Sequence, residues 1–355
     1  MLHRSFNLTS NHREDNVQDL KMKTRNQIKL LILTTLLLST TMAISSTNII
    51  IIWLSLELNI FSFIPLLLNE TNINETEAST IYFLTQAIGS TIFLIRLTTL
   101  LHTTWLPKIS TILLMAAILL KMGAAPCHYW FPTTIEIIRW KNCFILSTWQ
   151  KIAPLFIIMY IILPATPLIL TIIPIISSLN AITGGIIGLS QLSIKKIISY
   201  SSITHIGWIL RRSITSTPCL SLAYLFIYSF ITLPLFIIFN KISTNKVYDL
   251  WHKQNPQKST IILIPRLLLS VGGLPPLRGF IPKLLIMIIL LNHSITTIII
   301  LIIGSLLNLF FYTNIGLNIF MAHQQSPVPV KKKLPTRAIH IIISTNFLSL
   351  FILII

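Results

Sequence analysis

Lys121-Met122-Gly123-Ala124-Ala125-Pro126-Cys127-His128-Tyr129-Trp130-Phe131-Pro132 interrupts an apolar run that otherwise extends from about residue 108 to 138. It places a glycine and two prolines at a depth where a membrane helix would continue. Proline removes a backbone donor and its ring obstructs the preceding turn. The carbonyls freed in this way must be met by protein or water, because hydrocarbon offers no partner. About 150 residues later a second stretch has the same character: Gly272-Gly273-Leu274-Pro275-Pro276-Leu277-Arg278-Gly279-Phe280-Ile281-Pro282-Lys283. Paired interruptions at matching places in two halves of a chain point to an inverted-repeat transporter. Two unrelated proline kinks are the plainer alternative.

Outward from the breaks, apolar stretches lie near 28–45, 48–68, 80–101, 108–138, 143–163, 165–189, 194–212, 218–240, 258–293, 294–315 and 337–355. A helix needs about 20 residues to cross hydrocarbon. The runs are continuous rather than alternating, which excludes barrel strands. The expected fold is an all-α polytopic membrane protein with about eleven transmembrane helices, two of them broken. The expected arrangement is two inverted five-helix halves, 28–163 and 164–315, followed by a basic loop and a C-terminal helix within 316–355. Residues 1–27 carry both signs of charge and no apolar segment beside the basic one, so they are not a secretory signal. They read as a surface tail or as an extension outside the mature protein.

Composition agrees. The chain has 355 residues, 53% of them hydrophobic and only 10% charged, against about 25% charged in soluble domains. A disordered chain, a disulfide-stapled secreted domain and an ordinary soluble enzyme are excluded. Lys plus Arg number 27 and Asp plus Glu 9, a formal charge of +18. The basic residues fall mostly between apolar runs, which suits anchoring at a lipid surface and not nucleic acid. Cys127, Cys143 and Cys219 have no metal-ligand spacing and read as inert buried thiols.

Charge inside the spans is the functional signal. Glu57 stands within Trp53-Leu54-Ser55-Leu56-Glu57-Leu58-Asn59, whereas Glu70, Glu75 and Glu77 read as loop acids. Lys121 ends the run before the first break, Lys151 lies in Thr148-Trp149-Gln150-Lys151-Ile152-Ala153-Pro154, and Lys283 follows the second break. A charge at a helix centre costs about 2.5–3.5 kcal/mol on insertion scales. Four unpaired groups would cost on the order of 10 kcal/mol, so together they imply a hydrated internal path. Lysine suits proton exchange because burial can bring it to release its proton, whereas arginine stays charged. Snorkelling to the surface is the alternative for each lysine. His205, with Ser201 and Thr204, forms a polar stripe on its helix, and His128 follows Pro126 in the first break. Either histidine could relay protons or simply satisfy local hydrogen bonds. Lys195-Lys196 reads as a surface anchor. No iron–sulfur cysteine cluster, dinucleotide fingerprint, phosphate loop or Ser/His/Asp arrangement is legible. Catalysis would be vectorial, or belong to a partner.

The stretches Glu77–Ala87, the Lys121 break, Thr148–Pro154, Lys196–Trp208 and Gly272–Pro276 resemble, in order, the mitochondrial NADH dehydrogenase subunit 2 family. These are antiporter-like membrane subunits of respiratory complex I, and the resemblance covers about residues 28–315. It implies a multi-pass protein of the mitochondrial inner membrane that moves protons, or transmits charge, along a hydrophilic axis. Glu57, Lys121, Lys151 and Lys283 match the family's glutamate, first-break lysine, central lysine and second-break lysine. Partners would be the other membrane-arm and accessory subunits and membrane lipid, with no nucleic acid. NADH, FMN, iron–sulfur clusters and ubiquinone would be used elsewhere in the complex, with no cofactor or metal in this chain. A stand-alone cation/proton antiporter and a non-conducting structural subunit are the competing readings.

The sequence departs from that family at some positions. Lysine is frequent where Ile81 stands, and a small Ser or Thr is usual where Arg278 stands. Arg96, Arg211 and Arg212 also fall within or at the ends of spans, and there are 68 Ile against 8 Met. Many animal mitochondria read AUA as Met, and most invertebrate ones read AGA and AGG as Ser. A translation with the wrong code would produce both oddities. Peptide mass spectrometry across residue 278 is then expected to find serine, and an arginine mass there ends the idea.

Overall fold

The computed structural model describes residues 27–68, 73–102, 107–162, 167–214, 219–242, 246–247, 258–275, 277–291 and 294–324. Residues 1–26, the basic loop beyond 324 and the expected span 337–355 lie outside the described residues. Among those described there are thirteen α-helices and no strand. In chain order they are α1 Gln27–Ser45, α2 Ile49–Leu67, α3 Ile73–His102 and α4 Pro107–Met122. The short helices α5 Trp130–Ile137, α6 Trp140–Ser147 and α7 Ile152–Ile157 follow. Next come α8 Pro167–Leu189, α9 Ile194–Ser213 and α10 Cys219–Ile242. The second broken helix is α11 Lys258–Gly272 and α12 Phe280–Leu290, and α13 Ile295–Gln324 follows it.

Seven stretches among the described residues are long and apolar enough to cross a membrane. They coincide with expected spans. The broken pairs α4/α5 and α11/α12 supply shorter apolar helices at the expected places. The bundle has the polarity of a membrane protein. On α2, Ile50, Leu54, Leu58 and Phe61 face outward, while Ser55, Asn59 and Ser62 are buried. Hydrocarbon makes no demand on the outer face, so polar side chains collect where other helices can satisfy them.

α9 carries this furthest. Nearly its whole length is buried, from Ile194 to Ser213, and it packs against α5, α8, α10, α12 and α13. Small residues permit the approach: a methyl at Gly184 of α8 would lie 2.6 Å from the Tyr200 carbonyl oxygen. The central helix is therefore polar and sheathed, and it is not among the seven apolar spans.

Three local features differ from the sequence reading. α3 begins at Ile73, so Glu75 and Glu77 belong to its first turns instead of a loop. Carboxylates are favourable near a helix N-terminus, and buried Glu75 also accepts a 2.8 Å hydrogen bond from Arg139 Nε. The span expected over 143–163 starts at Trp140 and is not uniformly α-helical: Trp149–Lys151 form a tighter 3-10 turn between α6 and α7. Pro154 has no N–H to offer the Gln150 carbonyl, which accounts for the loosened ladder here. Lastly, Cys143 is buried, but Cys127 and Cys219 are exposed, contrary to the reading of all three as buried thiols.

Candidate functional site

The two breaks close in the same way. After α4, Gly123 takes φ +69°, its N–H donates to Leu120 O at 3.1 Å, and the Ala124 N–H reaches back to Leu119 O at 3.0 Å. After α11, Gly273 takes φ +84°, its N–H donates to Leu269 O and Ser270 O, and the Leu274 N–H reaches Leu269 O at 3.4 Å. This is the left-handed cap that glycine adopts without steric cost. It recurs at positions 150 residues apart.

Side chains satisfy the backbone groups left over. At the first break Trp130 Nε1 donates to Leu120 O at 3.0 Å, and the Ala125 N–H donates to Asn180 Oδ1 at 2.7 Å. At the second, Lys283 Nζ donates to Gly272 O at 2.6 Å. Lys283 thus caps the broken helix as well as placing a buried amine there.

Five of the six residues singled out from the sequence fall in a line. Glu57 is half-buried on α2 and acts electrostatically on Lys121, though no contact ion pair joins them. Lys121, at the end of α4, is buried, and its Nζ has no hydrogen-bond partner. It opens into a cavity also lined by Asn59, Gln86, Gln150 and Lys151. The cavity offers about 20 Å³ to water centres, room for a water. On its far side Lys151, also buried, points its ammonium over the Phe131 ring, 4.6 Å from the centroid, and donates to Ser202 Oγ at 3.2 Å.

From Ser202 the line follows α9. The hydroxyls of Ser201, Ser202 and Thr204 each donate to a carbonyl one turn earlier. Their lone pairs remain free to accept, and Thr204 Oγ1 accepts from Asn308 Nδ2. His205 Nδ1 lies 2.7 Å from Tyr224 Oη, with the Tyr228 ring centroid 4.8 Å from its own. His205 is within electrostatic reach of both Lys151 and Lys283. It also lines a small cavity with Val271, Gly279 and Pro282 at the second break.

His128 stands to one side. Its Nδ1 meets Pro126 O at 3.2 Å, its ring stacks on Tyr129 with centroids 4.4 Å apart, and it presents an edge to Tyr200. Lys195 is not a free surface anchor. It is buried beneath Trp140 and donates to Glu136 O and Ile138 O at 3.1 and 2.7 Å.

Sequence reasoning missed the neutral part of the site. Asn59 and Gln150, joined at 3.2 Å, together with Gln86, Asn180, Ser202, Tyr224 and Asn308, connect or flank the charged groups. A signal existed for the amides, since each is an isolated amide in an apolar run, where it must find a partner on another helix. Among the described residues no group of three or more His, Cys, Asp or Glu could hold a metal ion.

A family model described as NADH:quinone oxidoreductase/Mrp antiporter, TM matches residues 45–308. The chain belongs to that family. NADH-ubiquinone oxidoreductase chain 2 of Lumbricus terrestris is 39% identical over 289 residues, covering 80% of this chain and 84% of the relative. The protein of the same name from Mus musculus is 39% identical over 293 residues, covering 79% and 83%. A chain of respiratory complex I from Thermus thermophilus superposes with a TM-score of 0.77 at 20% identity, over 91% of this chain and 77% of that one. A chain of the Mrp complex from Dietzia sp. DQ12-45-1b gives 0.70 at 16% identity, over 86% and 61%. These two show a common fold. Both broken helices lie within the span matched by the family model.

Proposed function

We propose that this chain is the second antiporter-like membrane subunit of mitochondrial NADH:ubiquinone oxidoreductase, and that it carries protons or couples charge within the inner membrane. The observation that carries the reading is the buried series Lys121, Lys151, His205 and Lys283, linked by polar side chains inside a bundle whose outside is apolar. The identity and coverage of the chain 2 relatives support its place in that enzyme. Redox chemistry would belong to partner subunits. NADH, FMN, iron–sulfur clusters and ubiquinone would be handled there.

The mechanism is electrostatic. Glu57 favours a charged Lys121 while the carboxylate is ionised. When that influence weakens, a proton can pass by a cavity water toward Lys151. Lys151 and His205 share α9 as their polar support, and His205 faces Lys283 across the second break. Each buried amine raises the cost of charging the next, so protonation of the series is coupled and not independent. The matching glycine caps at Gly123 and Gly273 support two inverted halves, 28–163 and 164–315, with a proton-handling lysine at each break.

The test is a mild-detergent native gel of membranes containing the chain, stained in the gel for NADH dehydrogenase activity. Peptides of this chain are expected in a very large active band. Recovery only as a small inactive species would overturn the reading in favour of a stand-alone antiporter, which the likeness to the Mrp chain also accommodates.

A further inference from the structure

His205 is approached from two sides. On one, its Nδ1 lies 2.7 Å from Tyr224 Oη. Both residues are buried, and among the described residues Tyr224 Oη has no other hydrogen-bond partner. On the other, the ring meets the opened end of α11. Val271 and Gly272 are the last residues described in its final turn, where carbonyls have no later helical N–H to receive. Gly272 O accepts from Lys283 Nζ at 2.6 Å. The Val271 carbonyl acts on His205 as an acceptor, while Nε2 closes no hydrogen bond. Consecutive carbonyls of one broken helix thus draw in a histidine and a lysine.

A neutral imidazole has one N–H and one bare nitrogen, and the bond made by one nitrogen decides the state of the other. If Nδ1 carried the proton, it would donate to Tyr224 Oη, and the buried phenol O–H would have no acceptor. Nε2, stripped of its proton, would then meet the Val271 carbonyl lone pair to lone pair. If instead Tyr224 donates to a bare Nδ1, the phenol is satisfied and an Nε2–H answers the carbonyl. A buried donor left without a partner is the costlier choice, so the second arrangement prevails. The other neighbours of the ring do not reverse it. Lys151 and Lys283 are bonded to Ser202 Oγ and Gly272 O, and Tyr228 lies beside the ring with centroids 4.8 Å apart.

The geometry points to Tyr224 as the positioning residue of His205: its hydroxyl donates to Nδ1 and fixes the proton of the neutral ring on Nε2, on the side of the second break. The inference rests on the proton-carrying reading of the axis and deepens it. His205 presents its N–H toward the backbone that also holds Lys283, and its bare nitrogen toward α10. When the ring gains a second proton, at Nδ1, the Tyr224 hydroxyl turns about its C–O bond and accepts instead. One hydroxyl therefore serves both charge states of the histidine, which a phenylalanine cannot do.

The experiment compares Tyr224→Phe, His205→Gln and the double variant in membranes containing the assembled enzyme. Proton translocation into sealed vesicles is normalised to NADH oxidation, and a native gel reports assembly. Tyr224→Phe is expected to lower translocation by about tenfold or more, and the double variant should be no worse than His205→Gln alone. A multiplied loss in the double variant would mean that Tyr224 acts elsewhere than through His205, and would overturn the assignment. Normal translocation by Tyr224→Phe beside an impaired His205→Gln would overturn it too, while leaving the proton-carrying reading intact. Normal translocation by His205→Gln would remove the histidine from the path and end both at this position. A second measurement does not depend on how well Tyr224→Phe assembles. Infrared spectra of the wild-type enzyme with ring-labelled histidine, set against His205→Gln, should assign to residue 205 the ring-stretch band of an Nε2–H imidazole. An Nδ1–H band there would overturn the inference.

Discussion

Lys151→Ala is expected to lower proton translocation by about 10²-fold or more, while the assembled enzyme still passes electrons from NADH to a soluble acceptor. Among the described residues, the lysine is the only group that both lines the cavity with Lys121 and donates a hydrogen bond directly to α9. Without it, the described link from the Lys121 cavity to Ser202 on α9 is lost. The fold should survive. Ser202 already donates to Ser199 O at 2.7 Å, so losing the lysine orphans no buried donor there. Lys151→Arg separates two explanations, because arginine keeps the charge but does not release its proton. It should pump as poorly as the alanine variant. The measurement is acidification of sealed vesicles, normalised to NADH oxidation, with a native gel to check assembly. Normal pumping by Lys151→Ala would leave the chain with a structural role only.

The second large effect is on assembly. A methyl at Gly279 would run into the Ser270 carbonyl oxygen and stand 3.1 Å from Ser270 C. Both obstacles are backbone, so no side-chain rotation relieves the clash. α12 would have to withdraw from α11, pulling Lys283 away from Gly272 O. A change of this kind belongs with the rare substitutions that cost more than about 4 kcal/mol, and Gly279→Ala should leave little intact complex on a native gel. Gly272→Ala is the control. There the nearest atom is Tyr312 Cδ2 at 3.4 Å, an ordinary contact, and alanine favours the helix by about 1 kcal/mol. It should assemble normally. Equal yields of the two variants would refute the close approach at the second break.

These cases mark where the sequence was informative. The breaks could be read because glycine and proline at membrane depth have few explanations, and the lysines because a buried charge is costly anywhere in lipid. Both are properties of single positions. The partners could not be read. Ser202, Tyr224 and Asn308 meet Lys151, His205 and Thr204 across 51, 19 and 104 positions of sequence, and only helix packing decides such pairs. Lys195 misled for the same reason: beside Lys196 it looks like a surface residue, yet Trp140 covers it. The start of α3 was set too late because Glu75 and Glu77 look like loop residues until the helix terminus that favours them is in view. The 3-10 turn at Lys151 did leave a trace, in Pro154, which marks a fault in the helix three residues after the lysine.

The sheathed position of α9 bears on how the protein is made. Lys195, Lys196, Arg211 and Arg212 sit at the two ends of this helix, and serines and a histidine occupy its middle. Such a segment cannot partition into lipid alone, since each charged or hydroxylated group would face hydrocarbon without a partner. Its apolar neighbours α8 and α10 must take it in, with α8 already threaded and α10 closing behind it. During synthesis α9 is therefore a passenger. The ribosome has to reach α10 before the translocon can release the three as a unit, and a truncation after residue 214 would strand this polar helix at the membrane's edge.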